Sequence, residues 1–167
     1  MSEIGIKDQC FGVEVEMTGI TREEAAQTLA EYFGTTPRHV RGVYDTWTVK
    51  DTEGKEWKLM SDASIRTEKK TETGYTAVSN TDYRVEMVTP KLTYAELPKL
   101  QECIRRVRKA GAKANNSCGI HVHVDAANHN RQSLKGSVLN DMTKGNILKK
   151  KGTGDEERRK KKGRSKR

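Results

Sequence analysis

Four short segments of this sequence carry the side chains best suited to chemistry. Glu14 and Glu16 stand two apart in Phe11-Gly12-Val13-Glu14-Val15-Glu16-Met17, and Asp62 stands in Ser61-Asp62-Ala63-Ser64. Arg84 and Glu86 flank Val85, and His121, His123 and Asp125 alternate in Gly119-Ile120-His121-Val122-His123-Val124-Asp125. Carboxylates converging on one surface repel one another unless a cation neutralises them, and hard oxygen donors suit Mg²⁺ or Mn²⁺, with phosphate oxygens completing the shell. His121, His123 and Asp125 could instead hold Zn²⁺ for a hydrolase, although the abundance of carboxylates favours Mg²⁺. Each segment alone also fits a plainer role. Glu-x-Glu and His-x-His occur on solvated sheet faces, Asp62 suits a turn, and Arg84 could simply pair with Glu86 or Glu16, an interaction worth little when exposed. The conjunction, with most of these residues in strand-like contexts, points to a site.

The elements that must position these residues are legible from periodicity. Phe11 to Thr18 alternates apolar and acidic residues, the period of a strand that buries Val13, Val15 and Met17 and turns Glu14 and Glu16 outward. Thr21-Arg22-Glu23-Glu24 has the capping-box pattern of a helix start, Ala25, Ala26, Leu29, Ala30 and Phe33 recur at helical spacing, and Gly34 ends the helix. Tyr44–Lys50 and Glu56–Met60 predict a hairpin whose apolar face is Trp47, Val49, Trp57 and Leu59. The stretch from Arg66 to Asp82, rich in Thr, Lys and Glu, predicts a mobile loop where substrate-dependent variation belongs. Tyr83–Val88 predicts a strand closed by Thr89-Pro90, and Thr93–Ala110 a helix with Pro98 near its first turn and Leu97, Leu100, Cys103, Ile104 and Val107 on one face. Gly119–Asp125 predicts a last alternating strand whose apolar residues anchor it to the core. The order β-α-β-β-β-α-β predicts an α+β fold, a mainly antiparallel sheet with both helices packed on one face. The charged alternates of three strands then share its open face.

Composition narrows the function classes. The chain has 167 residues, suited to one domain, and 33% apolar content, low for a globular chain of that length. No run approaches the roughly 18–20 apolar residues of a membrane span, and Met1-Ser2-Glu3-Ile4-Gly5 does not resemble a secretory signal, so neither membrane insertion nor secretion is expected. Cys10, Cys103 and Cys118 are odd in number and widely spaced, the usage of reduced thiols in a cytoplasmic protein. The net charge of +9 is uneven: Gly136–Arg167 carries +8 of it and the first 135 residues only +1. A basic, apolar-poor segment predicts a disordered tail with weak, salt-sensitive affinity for nucleic acid. Nucleic-acid binding through that tail remains an alternative to an enzyme, although the body has few aromatics available for stacking on bases.

The same four segments, with Val85-Glu86-Met87-Val88-Thr89-Pro90 and Ser61-Asp62-Ala63-Ser64-Ile65 in full, stand in the order seen in the amidoligases and together resemble that family over residues 9–135. The amidoligases belong to the carboxylate–amine ligase superfamily of glutamine synthetase and glutamate–cysteine ligase. The resemblance implies a fold of that kind and an enzyme that uses ATP and Mg²⁺ or Mn²⁺ to join a carboxylate to an amine through an acyl phosphate. It implies that Glu14, Glu16 and Glu86 hold metal and that His121 and His123 contact metal or nucleotide phosphate. Asp62 and His123 are implied to serve catalysis alongside the three glutamates, and Arg84 joins them as a catalytic candidate on its own chemistry, since a guanidinium stabilises developing negative charge. Family members continue past the histidine strand with further helices and strands, so the resemblance also implies a domain over 9–135 followed by an unrelated basic tail over 136–167. On that expectation the chain is truncated at its C-terminus and its ligation weakened or lost.

Overall fold

The computed structural model describes residues 5–125; the expected boundary at 135 and the basic tail lie outside the described residues. In chain order the elements are β1 (Cys10–Met17), α1 (Arg22–Phe33), β2 (Arg38–Arg41), β3 (Thr46–Lys50), β4 (Glu56–Met60), β5 (Glu68–Thr71), β6 (Gly74–Ala77), β7 (Val85–Val88), β8 (Leu92–Thr93), α2 (Leu97–Ala110) and β9 (Ile120–Val124). The fold is α+β. The sheet runs β2-β3-β4-β7-β1, with every pairing antiparallel. β8 follows β7 along the same side of β1, and β9 pairs along the opposite side, since Phe11 meets both Leu92 and Val124.

Local chemistry explains the helices. Thr21 accepts the Glu24 N–H at 3.2 Å while the Glu24 carboxylate accepts the Thr21 N–H at 2.9 Å, a reciprocal cap on α1. Gly34 closes that helix at φ 68°, a left-handed conformation in which a side chain would be strained. Pro98 lies in the first turn of α2, where its missing N–H costs nothing. Both helices cover one face of the sheet and share a single core. In it Ala25, Ala26 and Leu29 of α1 and Leu100, Cys103 and Val107 of α2 join Val13, Val15, Trp57, Leu59, Val85 and Met87 from the strands.

Three features depart from the sequence-based expectation. First, residues 66–82 contain the β5–β6 hairpin. Its side chains are largely exposed on both faces, so it has no alternating pattern to betray it. It is fastened through main chain instead: Thr18 Oγ1 donates to the Glu68 carbonyl at 3.1 Å and accepts its N–H at 2.8 Å, and the Gly19 N–H donates to the same carbonyl at 2.9 Å. Gly19 is required there, because a Cβ would lie 2.5 Å from the Gly111 carbonyl oxygen. Second, Arg38–Arg41 pairs with β3 as an exposed edge strand.

Third, Ile120, Val122 and Val124 turn toward the helix side yet stay 65%, 60% and 53% exposed. α1 packs over β3 and β4, which leaves β9 beyond its reach. The strand is therefore held by its ladder to β1, extended at its ends by Glu16 N–H to the Gly119 carbonyl at 3.1 Å and Asp125 N–H to the Cys10 carbonyl at 2.9 Å.

Candidate metal centre

Strand register builds the site. Glu14 and Glu16 project from β1 onto the face opposite the helices, where Glu16 lies directly across from Glu86 of β7 and Glu14 directly across from His121 of β9. Like charges directly opposite in a strand pair are destabilising. The Glu14 carboxylate is bracketed by imidazoles, with Oε2 3.2 Å from His121 Nδ1 and Oε1 3.2 Å from His123 Nε2. Glu16 is 7% exposed, and its Oε2 accepts the Gly119 N–H at 2.6 Å. Asp62, just past the end of β4, accepts the Ser64 N–H at 2.6 Å in an Asx turn.

Two overlapping donor sets result. Ligand atoms from Glu14, Glu86 and His121 lie within 4.8 Å of one another, and so do those from Glu16, Asp62 and Glu86. Glu86 is common to both. Its carboxyl is pushed above the usual range first by burial and then by the charges of Glu14, Asp62 and Glu16, with His121 opposing. Asp62 moves the other way, lowered first by its bonds to Ser64 and further by the charges of His121 and Arg84. Arg84 reaches this neighbourhood with its Nε buried and without a hydrogen-bond partner among the described residues. A buried donor of that kind wants an acceptor, and an anionic oxygen is the natural one.

The donor chemistry suits a hard divalent cation: carboxylate oxygens with one imidazole, and a shared carboxylate whose protonation is favoured by uncompensated neighbours. The family described as "putative amidoligase enzyme" matches residues 7–162, nearly the whole chain. The chain belongs to this amidoligase family. Neither the curated proteins nor the solved structures compared yields a match.

In this member of the amidoligase family the expected site residues are partly regrouped. Glu14, Glu16 and Glu86, expected as the metal ligands, do converge, but no one donor set contains all three; Asp62 and His121 complete the two sets. His123 meets Glu14 and enters neither set. Asp125 pairs with Lys91, so the alternative zinc triad of His121, His123 and Asp125 is not assembled.

Sequence reasoning missed two contributors to the site and one acidic cluster outside it. The Gly119 amide has no side chain to announce it. Arg22 reads as a solvated first-turn residue, yet it is 3% exposed. Its Nη1 donates to the carbonyls of Thr81 and Arg84 at 2.7 and 2.9 Å, while Nη2 pairs with Asp45 and Asp82. It thereby fixes the backbone from which Arg84 enters the site. A third acidic group, Asp51, Glu53 and Glu96, lies away from this face.

Proposed function

We propose that this member of the amidoligase family is an ATP-dependent carboxylate–amine ligase that works with Mg²⁺ or Mn²⁺ on the open face of its sheet. The observation that carries this is the sharing of Glu86 by two donor sets beside a buried, unpartnered arginine nitrogen. Paired sites of this kind match what phosphoryl transfer needs, since its catalysis is mostly positioning and neutralisation of phosphate charge. In the proposed reaction a substrate carboxylate oxygen takes the γ-phosphoryl group of ATP and releases ADP. An amine then attacks the acyl carbon, displaces phosphate, sheds a proton and leaves an amide. When bound, the divalent cation draws charge from the phosphate oxygens and brings them to the face.

The chain's residues divide that work. Glu14, Glu16, Asp62 and Glu86 hold the cations, with His121 as the nitrogen donor. Arg84 Nε donates to an anionic oxygen of the phosphoryl group or of the substrate carboxylate, where charge develops in transfer. His123, beside Glu14 at the β1–β9 junction, orients that carboxylate and faces incoming phosphate. The partners are accordingly a small or peptide carboxylate and an amine.

The test is ADP release by the full chain offered ATP, a panel of carboxylates and an amine, with and without Mg²⁺. The expected result is ADP formation that needs metal and is raised by the carboxylate–amine pair, and that falls about 100-fold or more in Arg84→Met. ADP formation equal with and without metal would overturn the proposal.

A further inference from the structure

We propose that Asn115 is a positioning residue for Glu16, acting through the Gly119 amide. This rests on reading Glu16, Asp62 and Glu86 as a cation site. Glu16 is held from two directions by one residue, since its own N–H donates to the Gly119 carbonyl and its Oε2 accepts the Gly119 N–H at 2.6 Å. That amide has to be aimed, and Gly119 follows directly on a tight turn in which the Cys118 N–H donates to the Asn115 carbonyl at 3.0 Å.

The Asn115 side chain uses both ends to hold the turn. Its Oδ1 accepts the Ser117 N–H at 2.9 Å and the Ser117 hydroxyl at 2.6 Å, closing an Asx turn on the residues that lead to Gly119. Its Nδ2 donates to the Arg66 carbonyl at 2.8 Å and to Glu68 Oε1 at 2.9 Å, which ties the turn to the segment entering β5. Ser117 Oγ accepts the Arg66 N–H at 2.9 Å and completes the clamp. The turn thus cannot drift along the sheet. Its last amide is pinned on the Glu16 oxygen and sets the rotamer that brings this carboxylate to Asp62 and Glu86. Partners that orient a ligating carboxylate typically change metal affinity about 10- to 100-fold when removed.

The experiment follows the Gly119 amide by ¹⁵N-resolved NMR and Mn²⁺ binding by calorimetry, in the full chain, for the parent, Asn115→Ala, Ser117→Ala and Glu16→Gln. In the parent the Gly119 proton should resonate far downfield and exchange slowly, as a short bond to a carboxylate requires. Asn115→Ala should move that resonance upfield, remove its protection and weaken Mn²⁺ binding about 10-fold or more. Ser117→Ala should show a smaller change of the same sign. Lower melting temperatures in both variants, with the Gly119 resonance and Mn²⁺ affinity as in the parent, would make Asn115 a loop-stability residue and overturn the proposal. Should Glu16→Gln bind Mn²⁺ as the parent does, the cation reading fails instead. The Gly119 resonance in Asn115→Ala then decides the positioning role alone: a shift upholds it and no shift ends it.

Discussion

Among the described residues two clusters of three carboxylates each bring oxygens within 4.8 Å of one another, and they have opposite electrostatic characters. Glu16, Asp62 and Glu86 meet on the open face of the sheet; Asp51, Glu53 and Glu96 meet where the β3–β4 turn touches the start of α2. The second cluster has its own cations. Lys99 Nζ lies 3.1 Å from Asp51, 3.0 Å from Glu53 and 3.2 Å from Glu96, and Lys55 Nζ lies 2.6 Å from Glu96. Burial is the largest single influence on Glu96 and pushes its carboxyl upward, but bonds from Lys55, Thr93 and Lys99 outweigh it and hold the group at about 2. At Glu86 burial acts in the same sense and is reinforced by Glu14, Asp62 and Glu16, so the carboxyl rises. Identical residue types at similar separations therefore serve different ends. Where ammonium groups are built in, the cluster ties two elements together; where they are missing, the carboxylates repel one another, and on the proposed function a cation from solution would relieve that repulsion.

The largest expected effect comes from breaking the self-neutralised cluster. Lys99→Met takes the ammonium from Asp51, whose side chain is fully buried and keeps, among the described residues, only neutral donors, the Glu53 and Lys55 N–H groups and the Trp57 indole. The substitution should cost about 3–5 kcal/mol in urea denaturation while leaving Mn²⁺ affinity unchanged. A loss of metal binding in that variant would erase the distinction between the clusters. Acid should separate them next. Glu96 is depressed from 4.5 to about 2, so its contribution is present above pH 4.5 and lost as pH falls toward 2, a decline of up to about 3 kcal/mol that Glu96→Gln should remove. Glu86 is raised, so its favourable contribution belongs to the protonated form below pH 4.5 and is lost as pH climbs through its folded value. Glu86→Gln should accordingly give the smallest change and the opposite sign: a modestly higher melting temperature for the metal-free protein at pH 7, read by calorimetry.

Much of the fold that carries the site was legible because it rests on patterns of one element at a time. Alternation in β1, β7 and β9 announced which side chains leave the core, and Thr21, Glu24 and Gly34 marked both ends of α1. The hairpin of β5 and β6 and the edge strand β2 were hidden because they expose nearly every side chain. They are held by ladder bonds and, for the hairpin, single long-range contacts such as Thr18 and Lys113 to Glu68, which leave no periodic trace. The exposure of Ile120, Val122 and Val124 was hidden for the converse reason: alternation tells which way a residue turns, not whether a helix arrives to cover it.

At the site the residue types were readable and their grouping was not. Glu14, Glu16 and Glu86 stood out as a trio, but register and the Asp62 turn split them into two sets that share Glu86 and draw in Asp62 and His121. The roles of Asn115, the Gly119 amide and Arg22 depend on bonds spanning about half the chain, such as Gly119 to Glu16 and Arg22 to the Arg84 carbonyl. Local patterning has no access to those.

The central claim, that the open face recruits a divalent cation, is tested most directly by titrating Mn²⁺ into the metal-free full chain and into the Glu14→Gln, Glu16→Gln double variant by isothermal calorimetry. The account predicts that the parent binds Mn²⁺ and gains about 2.7 kcal/mol of stability at a hundredfold excess over Kd. The double variant, with one carboxylate removed from each donor set, should bind at least 100-fold more weakly, each lost ligand costing no less than the roughly 10-fold typical of a supporting contact. A double variant that binds Mn²⁺ as tightly as the parent would contradict it.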